Sequence, residues 1–362
     1  MYNQRMKLAI DCRMLGSGGI GSYLSALLPF FFNRYECYLI GRLKDLEIFQ
    51  NNKNIKIIPC DINTFSLKEL LCFSKEILKQ INSCEAYYTP YCNIPSGIKI
   101  PIFSTIHDVV FLDIDGLSSK LGRFIRKCFY QRAINKSKII FTVSNFSKER
   151  IQEKLHCKNT EMKVTYNALP HWFSSKKSNL IEKKDIVLFV GNIKKHKGLH
   201  TLLPAFKTAT KPVDEGGFNL KAQLVIVGNA ENFRTKDSSI MEEIDAMPRE
   251  YVKFTGKISD EELFNLYSSA RLLVQPSLYE GFGMPPLEAL SLGTNVVISD
   301  IPVFQEIYEG FPVTFFKTEN SNDLAKKIAE TWLKSEPQNL PEKYSFEKTA
   351  QIIFENIDSK II

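Results

Sequence analysis

Two carboxylates eight positions apart bracket the segment of this 362-residue chain best suited to chemistry: Glu280-Gly281-Phe282-Gly283-Met284-Pro285-Pro286-Leu287-Glu288. A short apolar run, Leu272–Gln275, precedes it. Pro285 and Pro286 suit the first turn of a helix, where a backbone amide has no intrahelical acceptor. Glycines let a ligand approach the backbone closely, and a helix N-terminus attracts phosphate. Carboxylates accept hydrogen bonds from hydroxyl-rich groups such as sugar and ribose. A phosphate flanked by polyols describes a nucleotide sugar. A plain strand-to-helix turn with a capping glutamate fits the same residues, because Gly and Pro are common turn punctuation.

Other candidates are weaker. Gly16-Ser17-Gly18-Gly19-Ile20-Gly21 satisfies the dinucleotide pattern G-x-G-x-x-G, following a strand and opening a helix. That reading needs a ribose-binding residue after the second strand, and only Arg42 stands there. An NAD(P)-dependent oxidoreductase is therefore a rival reading. His107-Asp108 closes a strand, where a structural histidine held by the neighbouring turn fits as well as a functional one. Asp113-Ile114-Asp115 is a D-x-D, a spacing that can hold a metal ion, but three residues are a common coincidence and no metal is expected. Residues 118–138 mix Arg123, Arg126, Lys127, Arg132, Lys136 and Lys138 with Leu121, Phe124, Ile125, Phe129 and Tyr130. A basic amphipathic helix can lie on anionic lipid, and a core-facing helix with a solvated face has the same composition.

These residues need a frame. Short apolar runs alternate with helical stretches along the whole chain. Strands are expected at Lys7–Cys12, Glu36–Ile40, Ile55–Pro59, Ala86–Thr89, Pro101–His107, Lys138–Val143 and Met162–Tyr166. The alternation breaks at 167–184 and restarts with Ile186–Val190, Ala222–Val227, Tyr251–Phe254, Arg271–Gln275, Asn295–Ile298 and Val313–Phe316. Helices are expected between them, among them 21–32, 66–81, 118–135, 147–155, 199–207, 260–269, 285–292, 321–333 and 346–357. This is the pattern of α/β domains with parallel, doubly wound sheets, whose ligands sit at the carboxyl ends of the strands.

Composition sets outer limits. A charge of +7 spread over a chain of this length is too mild to imply nucleic acid, though it suits an anionic membrane surface. The eight cysteines (12, 37, 60, 72, 84, 92, 128 and 157) form no C-x-x-C pair and fit no zinc spacing. Scattered free thiols without an export signal indicate a reducing, cytoplasmic setting. The longest apolar run, Leu24–Phe32, is far shorter than the roughly 20 residues of a membrane span.

The segment Ser277-Leu-Tyr-Glu-Gly-Phe-Gly-Met-Pro-Pro-Leu-Glu-Ala-Leu-Ser-Leu-Gly-Thr294 closely resembles the signature of the family 4 retaining glycosyltransferases. Val190-Gly-Asn-Ile-Lys-Lys-His-Lys-Gly198, Phe254-Thr-Gly-Lys-Ile-Ser-Asp-Glu-Glu-Leu263, Val143-Ser-Asn-Phe-Ser-Lys148 and Tyr344-Ser-Phe-Glu-Lys-Thr-Ala350 are similar to further segments of that family. The resemblance implies the GT-B fold: two Rossmann-like doubly wound domains facing across a cleft. On that plan residues 1–170 bind the acceptor, 171–184 link, 185–344 bind the nucleotide sugar, and 345–362 form a helix packing back on the first domain. It implies that Glu280 contacts the hydroxyls of the donor sugar and Glu288 the ribose. The backbone of Phe282, Gly283 and Met284 would approach sugar and diphosphate. Lys197 would neutralise the leaving diphosphate, a role that suits a fixed cation, although a solvated lysine in a basic run reads the same. Asn192 stands where many relatives carry Arg. Gly18 and Gly19 would let their loop touch the donor phosphate, and His107 would lie near the reacting carbon. Ser22, too, replaces a common Arg.

The implied reaction retains anomeric configuration, with the donor phosphate assisting deprotonation of the acceptor and with neither metal nor cofactor. The donor would be a nucleotide-diphosphate hexose, with mannose favoured because Gly191-Asn192…His196-Lys197 resembles bacterial mannosyltransferases. The acceptor would be a lipid-linked oligosaccharide of surface polysaccharide synthesis, met at the inner face of a membrane. A non-catalytic partner of the same fold is a second rival, and the presence of Glu280, Glu288 and Lys197 argues against it.

Overall fold

The computed structural model describes residues 5–361 except 72, 159, 171–172, 174–181, 229–237, 246, 249 and 338–339. Cys72 and most of the 171–184 segment lie outside the described residues. The chain divides into two compact units, Met1–Pro170 with Tyr344–Ile362, and His171–Lys343.

The first unit holds β1 (Lys7–Asp11), β2 (Glu36–Gly41), β3 (Ile55–Pro59), β4 (Ala86–Thr89), β5 (Ile102–Thr105), β6 (Ile139–Thr142) and β7 (Glu161–Val164). They form one sheet in the order β3-β2-β1-β4-β5-β6-β7, and every pairing is parallel. β4, β5 and β6 are buried at every position, as expected of a parallel sheet covered on both faces. Alternation along β1 feeds the two faces. Leu8 and Ile10 pack with Leu24 and Phe31 of the helix Gly18–Arg34. Ala9 packs with Ile81, Ala133 and Ile151 on the other side. The last helix, Phe346–Asp358, belongs to this unit. Its Ala350, Ile353 and Ile357 join the Leu24–Phe31 cluster. Thr349 Oγ1 donates to the carbonyl of Tyr166, and Tyr35 Oη donates to Asp358 at 2.9 Å.

The second unit holds β8 (Lys184–Val190), β9 (Gln223–Val227), β10 (Val252–Gly256), β11 (Ala270–Gln275), β12 (Asn295–Ser299) and β13 (Thr314–Phe316). Their order is β10-β9-β8-β11-β12-β13, again all parallel. Val187, Phe189 and Leu272 pack with Leu202 and Phe206 of the helix Leu199–Thr210 and Ile328 of the helix Ser321–Trp332.

All thirteen expected strands form, with ends shifted by at most two residues. One expected helix does not: 66–81 is two helices, Leu67–Leu71 and Lys75–Ile81. Ser74, in extended backbone, accepts from the Ile77 amide at 3.2 Å and so caps the second of them. The helix in the glycine loop starts at Gly18 rather than Gly21. Short helices at Val110–Asp113, Ser238–Asp245 and Pro302–Ile307 carried too little periodic signal to be read in the sequence. No helix among the described residues is long and apolar enough to cross a membrane.

Ile353 is fully buried in the cluster that ties the last helix to the sheet. Ile353→Ala removes three buried carbons and leaves a cavity, so urea titration should show a loss of about 2–5 kcal/mol. A loss under 1 kcal/mol would mean that the helix is not integral to the first unit.

Candidate active site

In each sheet the strand order reverses once, between β1 and β4 and between β8 and β11. The crossovers leave in opposite directions there, and this is where open α/β sheets hold their ligands.

The second unit puts its charged candidates at that place. After β8 the chain passes Gly191 and a single turn, Lys195–Lys197, and Gly198 takes φ 75 to start the helix Leu199–Thr210. A Cβ on Gly198 would stand 1.8 Å from the carbonyl oxygen of Pro276, so only glycine lets this turn lie against the segment after β11. The Leu278 amide donates to the His196 carbonyl at 2.8 Å and joins the two segments. Lys197 Nζ then meets Glu280 Oε1 at 2.7 Å, with side chains 19% and 10% exposed. Ser277 Oγ donates to the same oxygen at 2.8 Å, and Gln275 Nε2 donates to Ser277 Oγ at 3.0 Å.

The Gly-Pro turn is fixed from behind. Gly283 has φ 85, and a Cβ there would lie 2.4 Å from the Phe304 ring. Tyr308 Oη donates to the Gly283 carbonyl and accepts from the Leu287 amide at 3.0 Å. The helix that follows is Met284–Ser291, with its prolines in the first turn. Phe282 is buried and Met284 half-buried. Glu288, half-buried on this helix, accepts from Tyr267 Oη at 2.6 Å. Burial raises its carboxyl above the usual range, against the pull of that hydrogen bond. Asn192 is exposed in the turn after β8, and its carbonyl accepts from the Lys194 amide at 2.9 Å.

The structure thus brings Lys197 and Glu280 into contact. It sets Glu288 on Tyr267 and leaves Asn192 exposed. Burial, with Lys197 and Lys194 adding to it, pushes the His196 ring down to about 3, so it is neutral near pH 7.

In the first unit, Gly18 and Gly19 are exposed after β1. Gly18 has φ 56, and a Cβ on either meets no atom within 4 Å. Gly21 differs, because its Cβ would lie 2.5 Å from the Met14 carbonyl, so the last glycine of the motif serves packing. Ser22 Oγ turns back to the Gly18 carbonyl at 3.3 Å. His107 follows β5, with Nε2 3.0 Å from the Pro90 carbonyl and its ring edge-on to Tyr23 at 4.8 Å. A carbonyl only accepts, so the proton sits on Nε2 and Nδ1 carries the lone pair. Burial lowers this ring to about 4, against the carbonyl's opposite pull, and His107 too is neutral near pH 7. Both acids of the D-x-D face cations: Asp113 meets Arg150 and Lys154, and Asp115 meets Arg123. Burial raises Asp113, but its two cations outweigh that and hold it below the usual carboxylate range.

Sequence reasoning missed a second charged group, at the β1/β4 reversal. Asp11 ends β1, and the Arg13 guanidinium meets it through Nε at 3.0 Å and Nη2 at 2.7 Å. Tyr87 Oη donates to Asp11 at 2.9 Å, and Arg13 Nη2 donates to Tyr91, whose hydroxyl donates to Glu69 at 2.8 Å. Asn93 also donates to Glu69, and Arg13 Nη1 lies 3.3 Å from it. Burial raises Glu69, partly offset by these donors. A charged Asp-x-Arg at the end of an apolar strand is the one local signal that marks this network. Tyr308, Tyr267 and Ser277 carried no such signal.

Residues 171–348 match the family model described as glycosyl transferases group 1. The chain is 31% identical over 208 residues to the O-antigen chain mannosyltransferase RfbU of Salmonella typhimurium, covering 56% of this chain and 53% of that protein. It is 25% identical over 233 residues to O-antigen chain mannosyltransferase B of Escherichia coli, covering 61% and 58%. The chain therefore spans just over half the length of these curated relatives. Among solved structures, the Anabaena protein HepE in complex with UDP and glucose superposes with a TM-score of 0.69 at 18% identity, over 98% of this chain and 100% of that one. A likeness this broad at low identity establishes a shared fold, two Rossmann-like α/β domains of the GT-B kind.

Two measurements test the geometry. Gly283→Ala puts a methyl group into the Phe304 ring at a left-handed backbone, so thermal denaturation should show a loss of about 2 kcal/mol or more. An unchanged Tm would contradict the turn. The second test concerns pH. An unfolded histidine takes its proton near 6.5, whereas folded His107 resists until about 4. The unfolded state thus binds more protons between those values, and stability falls as pH drops through that window, by up to ~1.4 kcal/mol per unit. In His107→Gln the slope of Tm against pH between 6.5 and 4 should be shallower. An identical slope would mean that the ring is not held neutral by the fold.

Proposed function

From the match of residues 171–348 to the family model described as glycosyl transferases group 1, we propose that this chain is a glycosyltransferase that moves mannose, with retention, from a nucleoside-diphosphate donor to a lipid-linked glycan in surface polysaccharide synthesis. The observation that carries this reading is the Lys197–Glu280 pair at the β8/β11 reversal. A cation and a carboxylate side by side match the two ends of a nucleotide sugar near its reacting bond. The diphosphate needs positive charge as it leaves, and the sugar hydroxyls need an acceptor. Mannose and the glycan acceptor are favoured by the two O-antigen mannosyltransferases that the chain resembles.

On this reading Lys197 binds the β-phosphate and stabilises the charge that builds as the glycosidic bond to phosphate breaks. Glu280 accepts from hydroxyls of the hexose, Glu288 from the ribose. The turn Phe282-Gly283-Met284, fixed by Tyr308 and Phe304, presents backbone to sugar and diphosphate. Asn192 adds a neutral donor where relatives have Arg. The family resemblance assigns Gly18 and Gly19 to the donor phosphate and His107, neutral and locked by Pro90, to the sugar, as a hydrogen-bonding group rather than as an acid. The donor's own phosphate oxygen takes the acceptor proton on the face it leaves, so configuration is kept without an enzymic nucleophile, metal or cofactor.

The lipid-linked acceptor fits the helix Lys120–Lys136 of the first unit. Leu121 and Phe124 are 69% and 64% exposed there, and Ile125 is exposed as well. Lys120, Lys127, Lys136 and Lys138 are also exposed. Exposed apolar side chains among lysines suit an anionic bilayer surface. Arg123, Arg126 and Arg132 are engaged within the protein, by Asp115, the Phe111 ring and the Ile94 carbonyl.

Purified protein incubated with membrane extract and either GDP-mannose or UDP-glucose should release GDP in excess, with α-configured product by NMR. Lys197→Met should lower that rate by about a hundredfold or more. Preference for UDP-glucose would overturn the donor assignment. Full activity of the Lys197 variant would overturn the role of the pair.

A further inference from the structure

Ser277 has no role assigned above, yet its hydroxyl and its carbonyl are both held by named partners. It is fully buried. Its hydroxyl donates to Glu280 Oε1 at 2.8 Å. A carboxylate paired with a lysine can only accept, so the single Ser277 hydrogen is committed, and the Ser277 oxygen must accept from elsewhere. Gln275 Nε2 supplies that hydrogen at 3.0 Å. This orientation leaves Gln275 Oε1 buried with no hydrogen-bond partner among the described residues. An orphaned buried carbonyl is destabilising, and an apolar side chain of the same shape would avoid it. The Ser277 carbonyl is held in turn by Ser299 Oγ. The arrangement therefore sacrifices stability to present one hydroxyl hydrogen to one carboxylate oxygen.

Glu280 Oε1 has a second donor, Lys197 Nζ at 2.7 Å. The same ammonium is the cation assigned to the leaving diphosphate, and it cannot serve both partners at full strength. A lysine ammonium is a compact charge on a flexible stem, and a diphosphate carries more negative charge than a carboxylate. We propose that Lys197 passes from Glu280 to the diphosphate when donor binds, and that Ser277 is the positioning residue that keeps Glu280 aimed at the sugar after the lysine has left. Ser277 holds Oε1, and Oε2 is left for the hexose hydroxyls. No bond is made or broken in this exchange. It moves one ammonium between two anions.

This inference rests on the function proposed above, and its test separates the two. The full chain is compared with Ser277→Ala, Ser277→Thr and Gln275→Met, using GDP in calorimetry and GDP-mannose with membrane extract in turnover. The diphosphate site is intact in Ser277→Ala, so its GDP affinity should stay within about twofold of the parent. Its kcat should fall about ten- to a hundredfold, the effect of losing one hydrogen bond to a charged group. Ser277→Thr keeps the hydroxyl and should recover most of the rate. Gln275→Met removes the orphaned carbonyl, so its Tm should equal or exceed that of the parent while its kcat falls. An unchanged kcat in Ser277→Ala overturns the inference. So does a loss of rate that tracks a loss of Tm in both variants, because that marks a merely structural role. Failure of the parent to release nucleotide from GDP-mannose or UDP-glucose overturns the proposed function and this inference with it.

Discussion

Parallel strands must be joined by crossovers, and a crossover has one hand. A sheet that grows outward from a central strand in both directions therefore has one place where neighbouring connections diverge. The candidate site of the second unit follows from that constraint. β8 and β11 are neighbours in the sheet but 80 positions apart at their closest ends in sequence, from Val190 to Ala270 by way of two other strands. The loops after them are thus brought together with no helix between them. Lys197 and Glu280 meet because the order of strands leaves their two loops nowhere else to go.

Close approach has to be made possible as well as forced. Gly198 removes the Cβ that would strike Pro276, and Gly283 removes the one that would strike Phe304. Tyr308 then uses its single hydroxyl as donor to one end of the turn and acceptor from the other. These are packing demands, yet each acts on the segment that presents the carboxylate. The glycines at 198 and 283 are explained by neighbours within the protein. Those at 18 and 19 are not, since a Cβ on either meets nothing.

Much of this was legible in the chain itself. Buried parallel strands are continuous apolar runs, so all thirteen could be located without knowing their partners. Glu280 and Glu288 stood out because glycine and proline between two acids is a local pattern. What was not legible is non-local. Glu69 and Asn93 lie 24 residues apart and share a hydrogen bond, and neither sits in a recognisable motif. Tyr308 reaches Gly283 across 25 residues. The break at 73–74 was missed because the hydrophobic period continues through it, and only the cap on Ile77 shows that Ser74 starts a new helix. In the chain Glu280 and Glu288 read as one pair of flanking acids, assigned by resemblance to sugar and ribose. Folding separates them, one set on a lysine and the other on a tyrosine.

The two strand reversals make an instructive pair, because both are furnished with carboxylate and cation. At β1/β4, Arg13 and Asp11 are 1% and 0% exposed, and Arg13 is shared between Asp11, Glu69 and Tyr91. Taking such charges from water is costly, and the arrangement survives only because nearly every donor and acceptor is already matched inside the protein. A group so committed cannot exchange partners with a ligand. It ties the glycine loop, the helix Leu67–Leu71 and the segment after β4 into one rigid edge. At β8/β11 the pair keeps 19% and 10% exposure and Lys197 has one carboxylate partner. Its desolvation is incomplete, so a better anion can displace the carboxylate at modest cost. The same charge types at equivalent places in two related folds thus differ in kind, a closed scaffold in one and a candidate site in the other. The deciding variable is how completely each charge is already satisfied before anything binds.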